Sequence, residues 1–184
     1  MRIISGRYGR RRFTVPSNFK LRPTTDLAKE ALFNTLTSEY DLEETSVLDL
    51  FSGTGSIGVE FCSRGAQYVC AVEQNRKHSA FIRQVIDELN IAKGTFDIYT
   101  SDVRSFINRK VVDRKFDFVF ADPPYNLSWL SSLPELITSS SLLSPDGVFV
   151  LEHPSEYNFS SFSGFIKHKS YSAVNYSFFQ FTNN

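Results

Sequence analysis

A glycine-rich turn between an apolar strand and a helix constrains the fold of this chain more than any other segment. Residues 47–51 form a short apolar run, Gly53, Gly55 and Gly58 follow it, and 56–64 reads as a helix. Glycine adopts positive φ at little cost and lets the backbone approach a ligand closely. A strand, turn and helix of this kind predict an α/β fold that holds a nucleotide-like cofactor.

Strand and helix patterns alternate between residues 46 and 153, which predicts a parallel sheet covered on both faces. Two further strand patterns, at 165–171 and 174–181, have no helix between them, so a hairpin would make one edge strand antiparallel. The predicted strands before it are 47–51, 68–72, 95–100, 116–121 and 148–152. The predicted helices are 26–40, 56–64, a segment capped by Asn75 and ending near Leu89, 103–112 and 127–139.

The charge of the chain is divided unevenly along its length. Seven of the 20 basic residues lie within the first 22 positions, no acid precedes Asp26, and the remaining 13 basic residues accompany all 20 acids. Apolar residues interleave with these charges, as in a strand with one packed face. A basic arm on an acidic body predicts a polyanion as partner. The predicted RNA-contacting residues are Arg2, Arg7, Arg10, Arg11, Arg12, Lys20 and Arg22.

Length and composition predict one domain, in which residues 1–22 form the arm and 23–184 the main body. The 184 residues are 41% hydrophobic, and no apolar run approaches the roughly 20 residues that span a bilayer. Cys62 and Cys70 are predicted to be free thiols in a reducing cytoplasm. No His, Cys and carboxylate cluster has metal-site spacing. We therefore expect a cytoplasmic monomer without a metal.

Acidic residues lie at the ends of three successive predicted strands. Glu73, 20 residues after Gly53, can accept two hydrogen bonds from a ribose diol. Asp49 would repel a pyrophosphate but suits the ammonium and sulfonium of S-adenosylmethionine, and Asp102 could accept a bond from the adenine amine. The alternative is that all three acids cap helices. The predicted cofactor set is Asp49, Phe51, Gly53, Gly55, Gly58, Glu73, Asp102 and Val103.

A second segment, at the end of the predicted fourth strand, suits methyl transfer to a base amine. Asp122, Pro123, Pro124 and Tyr125 supply a carboxylate, two peptides with fixed φ and an aromatic ring. The lone pair of a base amine is delocalised, so acceptors on its N–H bonds, from the Asp122 side chain and the Pro123 carbonyl, would make the nitrogen more nucleophilic. Tyr125 can stack on the base. A paired base cannot reach such a pocket, so the target must be single-stranded or flipped.

Histidines contribute little to this interpretation. His78 falls in a predicted helix and His168 in a lysine-flanked strand, so both are predicted at the surface. His153 ends the fifth predicted strand and lies beside the presumed cleft.

The segments together resemble the RsmD-type guanine-N2 methyltransferases, which act on guanine 966 of 16S ribosomal RNA in bacteria. The glycine turn and the 122–125 segment are shared by many amino-methyltransferases, whereas the segments at 22–26 and 30–34 are more specific. The matching segments are RIISG at 2–6, RPTTD at 22–26, EALFN at 30–34, LDLFSGTG at 48–55, SRGA at 63–66 and DPPY at 122–125.

The resemblance implies a Rossmann-like class I S-adenosylmethionine-dependent methyltransferase fold, with a seven-stranded, mostly parallel sheet and an N-terminal β-hairpin that contacts RNA. It implies that Asp49, Gly53, Glu73 and Asp102 surround the cofactor and that 122–125 hold the guanine N2. It also implies an assembled or partly assembled small ribosomal subunit as substrate. Two residues depart from the family pattern: Lys29 replaces a frequent arginine, and Ser172 replaces a common glycine.

Three other functions fit parts of the sequence. An adenine-N6 DNA methyltransferase would use the same 122–125 segment, but this chain has no room for a target-recognition insert. A nicotinamide oxidoreductase is disfavoured by Asp49. A non-catalytic RNA-binding module would bind cofactor without methyl transfer. Without the family resemblance, the residues leave guanine and adenine open as the target.

Overall fold

The computed structural model describes residues 1–19, 25–109 and 111–181, and its described part is built on one seven-stranded sheet. The strands lie in the order β3-β2-β1-β4-β5-β7-β6. They are β1 Ser46–Leu50, β2 Tyr68–Val72, β3 Phe96–Tyr99, β4 Phe116–Ala121, β5 Leu143–His153, β6 Phe165–Tyr171 and β7 Val174–Gln180. The helices are α1 Asp26–Glu39, α2 Ser56–Ser63, α3 Arg76–Leu89, α4 Val103–Asn108 and α5 Leu133–Ser139, with a short 3₁₀ turn at Leu130–Ser132.

Strands β1 to β5 run parallel, and β7 lies antiparallel between β5 and β6. This arrangement confirms the α/β fold, the antiparallel edge hairpin and the seven-stranded sheet of the resembled family. The strand order reverses between β1 and β4, because β1 leads towards β2 and β3 on one side while β4 leads towards β5 on the other. In open α/β sheets, ligands bind at the carboxyl ends of the strands beside such a reversal.

The core lies on both faces of the sheet, as expected for buried parallel strands. Alternate residues of one strand point to opposite faces. Thus Val47 packs with buried residues of α1, α2 and α3, and Leu48 packs with those of α4 and α5. Both side chains are fully buried. The helices on either face leave the carboxyl edge of the sheet as the place where side chains from several strands can meet.

Three predicted elements have clearly different bounds in the structure: α4 ends at Asn108 instead of 112, and the other two differ at their starts. The helix predicted at 127–139 begins only at Leu133, because Pro134 lacks an N–H and fits the first turn of a helix but not its interior. Strand β5 begins at Leu143, five residues before its predicted start. The turn-like Pro145, Asp146 and Gly147 lie within a register irregularity opposite β4, so the strand continues through them.

The N-terminal arm folds as a short, irregular hairpin against the main body. The Ile3 amide donates to the Arg11 carbonyl at 2.9 Å, and the Phe13 amide donates to the Met1 carbonyl at 2.8 Å. Ile3 is 1% exposed and joins the core of the α1 to α3 face. The predicted packed face of the arm is therefore confirmed.

A buried ion pair fastens this arm to α1 and α2. Glu60 on α2 accepts hydrogen bonds from the Ile4 amide at 2.8 Å and the Ser5 amide at 3.0 Å. Lys29 on α1 lies 3.4 Å from the Glu60 carboxylate and donates to the Arg2 carbonyl. Both charged residues are at most 1% exposed. Burial lowers the pKa of Lys29, while the Glu60 charge opposes that shift.

The departure at Ser172 has a backbone explanation. Ser172 connects β6 to β7 with φ of +58°. Glycine tolerates this left-handed conformation without the steric cost that a side chain brings. The geometry therefore favours the glycine that is common at this position in the family. Serine adopts the same conformation here at some steric cost.

We expect Lys29→Met to lower the free energy of unfolding by about 1–3 kcal/mol, because the buried Glu60 carboxylate loses one of its two cations and keeps only Arg64, at 2.9 Å. Urea unfolding followed by circular dichroism measures the change. Lys93→Met, at an exposed position, is the matched control and should stay within about 0.5 kcal/mol of the unmodified protein. A loss below about 1 kcal/mol for Lys29→Met would show that the pair does not fasten the arm.

Candidate functional site

The glycine turn leaves the carboxyl end of β1 in a left-handed conformation. Phe51, Gly53 and Gly55 have φ of +58°, +55° and +74°. Phe51 carries a side chain in this region, which is sterically costly for a residue other than glycine. Gly58 has a different role, since a Cβ there would meet the Asp49 carboxylate at 3.1 Å. The turn therefore needs two glycines for backbone conformation and one for close packing of α2 on the sheet.

Asp49 lies beneath this turn and is 1% exposed. Its carboxylate accepts a hydrogen bond from the Gly58 amide at 3.0 Å. Burial raises the pKa of Asp49 to about 7, the Gly58 bond opposes the shift, and the neighbouring charge of Glu73 adds to it. A cation bound close to these two carboxylates would favour their ionised forms, whereas a phosphate would not.

Glu73 connects the glycine turn to the start of α3. One carboxylate oxygen accepts from the Gly53 amide at 2.8 Å, and the other accepts from the Asn75 amide at 2.7 Å. The His78 Nδ1 atom lies 3.5 Å from the same carboxylate, and the Phe19 ring packs on His78 at 4.4 Å between centroids. His78 is 8% exposed, so its predicted surface position is wrong. The Phe19 ring and the helix together cover it.

Asp102 and Val103 lie at the start of α4, after β3. Asp102 is exposed and accepts a hydrogen bond from the Ser105 amide at 2.9 Å, which is the helix-capping geometry named above as the alternative. Val103 is buried in the core of the α4 and α5 face. A cofactor would therefore meet the backbone of Val103 rather than its side chain.

The segment Asp122, Pro123, Pro124 and Tyr125 follows β4 directly. Leu50 of β1 pairs with Ala121 of β4, so the segment begins beside the glycine turn. The Leu127 amide donates to the Pro124 carbonyl at 2.8 Å and closes a turn after the second proline. Pro123 is buried, whereas Asp122 and Tyr125 are half-buried at the carboxyl edge of the sheet. The region between the glycine turn and residues 122–125 is called the crevice below. The topology thus brings the two segments singled out in the sequence to one place.

An aromatic wall adjoins the glycine turn. The Trp129 ring lies 6.1 Å from the Phe51 ring, and the Arg104 guanidinium lies 5.4 Å above the Trp129 ring. Trp129 is half-buried. Neither Trp129 nor Arg104 belonged to the predicted cofactor set. Trp129 contacts Phe51 and Arg104 contacts Trp129, so this wall joins three separate parts of the chain that no local pattern connects.

Glu152 is a residue of this crevice that the sequence interpretation missed. It is 3% exposed near the end of β5, and its carboxylate accepts a hydrogen bond from the Tyr125 hydroxyl at 3.3 Å. The available signal was its position at the carboxyl end of the strand next to β4. The neighbouring His153 points to the opposite face, where its ring contacts the Ser177 hydroxyl and the Pro154 carbonyl at 2.8 and 2.9 Å. His153 is therefore a core residue, and its predicted place beside the cleft is wrong.

The basic residues of the arm are mostly exposed. Arg7, Arg10, Arg11 and Arg12 are accessible, although Arg11 also donates to the Glu88 carbonyl at 3.4 Å. Arg2 is partly occupied within the protein, since its guanidinium lies 3.7 Å from the Asp26 carboxylate. The predicted contacts Lys20 and Arg22 lie outside the described residues.

The residues that the structure describes, 1–19, 25–109 and 111–181, also bear on membrane and metal binding. None of their helices is long and apolar enough to cross a membrane. They also contain no group of three or more His, Cys, Asp or Glu side chains arranged to hold a metal ion.

Comparisons with known proteins agree with this geometry. Residues 1–180 match the family described as conserved hypothetical protein 95. The chain is 32% identical to the "Putative rRNA methyltransferase YlbH" of Bacillus subtilis over 157 residues, 85% of this chain and 84% of that protein. It is also 32% identical to the "Ribosomal RNA small subunit methyltransferase D" of Escherichia coli K12 over 153 residues, 83% of this chain and 74% of that protein.

A solved structure has the same architecture. The "Putative methyltransferase yhhF from Escherichia coli" superposes with a TM-score of 0.85 and 28% identity, covering 100% of this chain and 99% of that one. "A putative sam-dependent methyltransferase from Streptococcus mutans" shares the fold with a TM-score of 0.68 and 15% identity, covering 83% of this chain and 48% of that one. The sheet order and these two structures identify a Rossmann-like class I S-adenosylmethionine-dependent methyltransferase fold. From the family match over 1–180, the chain belongs to the RsmD-type family that its sequence motifs resemble.

Proposed function

We propose that this protein transfers a methyl group from S-adenosylmethionine to the exocyclic N2 of a guanine in 16S ribosomal RNA, at guanine 966 of the small subunit. One observation carries the proposal: the Asp122 to Tyr125 segment begins beside an acid-lined glycine turn at the β1/β4 reversal. The names of the relatives add ribosomal RNA as the substrate class. A cytoplasmic location follows from that substrate.

The charges of the crevice fit a cationic cofactor. When bound, S-adenosylmethionine supplies an electrophilic methyl group on a sulfonium centre. Asp49 and Glu73 place two carboxylates around the glycine turn, and burial of Asp49 makes a nearby positive charge favourable. Glu73 would bind the ribose hydroxyls, Gly53 and Gly55 would lie against the cofactor, and Asp102 with the Val103 backbone would meet the adenine.

Asp122 and Pro123 would prepare the base amine for attack. Each can offer an oxygen to an N–H bond, which favours the pyramidal, nucleophilic form of the nitrogen. The prolines fix the backbone before substrate arrives, so little reorganisation is needed during transfer. Bound S-adenosylmethionine would supply the methyl group to this nitrogen, and S-adenosylhomocysteine would leave. The amine then loses a proton to Asp122 or water.

The target base must leave any helix to reach this crevice. Asp122 and Tyr125 lie at the edge of a protein fold and are only half-exposed, so a stacked and paired base could not approach them. The exposed arginines of the arm would bind phosphates on one side of the target. In this division of roles, the arm would provide affinity for RNA and the crevice would carry out methyl transfer.

The direct test is transfer of labelled methyl from S-adenosylmethionine to small ribosomal subunits that lack this modification, followed by nucleoside analysis. We expect the label in N2-methylguanosine. Label in N6-methyladenosine would replace guanine with adenine as the target. Absence of label, in a protein that binds the cofactor, would instead support a binding-only role.

Asp122→Ala should reduce the rate of methyl transfer about 100-fold or more, by analogy with loss of one preorganised catalytic hydrogen-bonding group. Cofactor affinity, measured by calorimetry, should stay within about threefold, because Asp122 acts on the amine. Asp113→Ala, at an exposed position before β4, is the control. Equal loss of cofactor binding in Asp122→Ala would contradict the role assigned to Asp122.

Replacing Arg10, Arg11 and Arg12 together with Ala should weaken RNA binding at low salt. It should also lower the slope of log affinity against log salt by about 2 to 3, since three phosphate contacts would be lost. A matched triple variant replaces the exposed Lys93, Lys115 and Lys169 with Ala. The same slope in the arm variant and the unmodified protein would show that the arm does not bind phosphates.

A further inference from the structure

We infer that Glu152 is a positioning residue that holds the Tyr125 ring in place over the target base. The inference rests on the proposed function, because an oriented ring matters only if a base enters the crevice. Glu152 itself is buried, so its effect on the base would pass through Tyr125 rather than through direct contact.

The sheet places Glu152 beside the catalytic segment. Ala121 of β4 pairs with Leu151 of β5, and each is followed by an acid, Asp122 and Glu152. On its other side Glu152 pairs with Tyr176 of β7. The register therefore fixes Glu152 between the Asp122 strand and the antiparallel strand, at the carboxyl edge of the sheet.

Two tyrosines meet this carboxylate. The Tyr125 hydroxyl donates to Glu152 at 3.3 Å. Tyr176 is fully buried, and burial raises the pKa of its hydroxyl, with the charges of Glu152 and Asp122 adding to the shift. Tyr176 is the register partner of Glu152 on β7, so the two side chains lie on the same face of the sheet. The sheet thus fixes the position of Glu152, and the Tyr125 hydroxyl contacts its carboxylate from the segment that follows β4.

The contact restricts the freedom that the backbone leaves to Tyr125. Pro123 and Pro124 fix the preceding backbone, but the ring could still rotate about its side-chain torsions. A hydrogen bond at the far end of the ring limits that rotation. A carboxylate can accept about four bonds, so this contact is compatible with other partners of Glu152.

A buried carboxylate is a costly choice for packing alone. Removing a carboxylate from water is unfavourable, and an apolar residue of similar volume would fill the same space without that cost. The surrounding positions on this face of β5 and β7 are apolar, for example Val150 and Phe178. The acid at this one position has a polar partner in the Tyr125 hydroxyl, which an apolar residue could not bind.

The test is a double-mutant cycle of Tyr125→Phe and Glu152→Met, with transfer to small subunits as the assay. Tyr125→Phe keeps the ring but loses the hydroxyl, and Glu152→Met removes the acceptor at similar volume. We expect each single variant to lower kcat/KM about tenfold and the double variant to be no more than about twofold worse than either. Cofactor affinity should not change. Glu156→Gln, exposed after β5, is the matched control.

A second readout reports the ring directly. With 2-aminopurine at the target position of a small-subunit RNA fragment, stacking on Tyr125 should quench its fluorescence when the unmodified protein binds. Glu152→Gln keeps the shape of the side chain with a weaker acceptor, and serves if Glu152→Met does not fold. We expect less quenching in both Glu152→Gln and Tyr125→Phe.

Losses that multiply to about 100-fold in the double variant would overturn the inference, because the two side chains would then act independently. Unchanged quenching in Glu152→Gln and Tyr125→Phe would also overturn it. These outcomes differ from failure of the proposed function, in which the unmodified protein itself would transfer no methyl group to the subunit.

Discussion

The buried contact between Lys29 and Glu60 sets the position of the N-terminal arm relative to the glycine turn. Glu60 lies on α2, the helix that starts at the glycine turn, and its carboxylate accepts two amides of the arm. Lys29 reaches from α1 to the arm and also donates to Ser56, the first residue of α2, at 3.0 Å. Since an unpaired buried charge is costly, these three elements keep one arrangement. The exposed arginines of the arm therefore keep a fixed position relative to the crevice.

The crevice itself follows from sheet topology and charge. Reversal of strand order places the ends of β1 and β4 side by side, so the glycine turn and the Asp122 segment meet although they lie about 70 residues apart. Asp49 and Glu73 then make one end of the crevice acidic, and burial raises the pKa of Asp49 to about 7. A positively charged ligand would reduce the repulsion between the Asp49 and Glu73 carboxylates. Under the proposed function, the same backbone would direct the methyl donor and the base amine to neighbouring positions.

Much of the fold could be predicted because its signals are local. The bounds of β2, β4 and β6 agree with their apolar patterns, and Asn75 caps α3 as expected. The contributions of Lys29 and Glu152 could not be predicted, because each depends on a partner from a distant segment. In a sequence, an isolated charged residue is expected at the surface. His78 and His153 show the same limit: packing of Phe19 and of β7, not local pattern, decides their burial. The three glycines of the turn could be predicted from the sequence. Only the structure shows that Gly53 and Gly55 are required for backbone conformation and Gly58 for close packing.

The central claim is that the glycine turn and the Asp122 segment form one site for methyl transfer. A crystal structure with S-adenosylhomocysteine tests it most directly. The account predicts the ribose hydroxyls on Glu73, the amino group on the Asp49 side of the turn and the sulfur directed towards Asp122. Binding of the product elsewhere, or in this crevice with its sulfur directed away from Asp122, would contradict the claim.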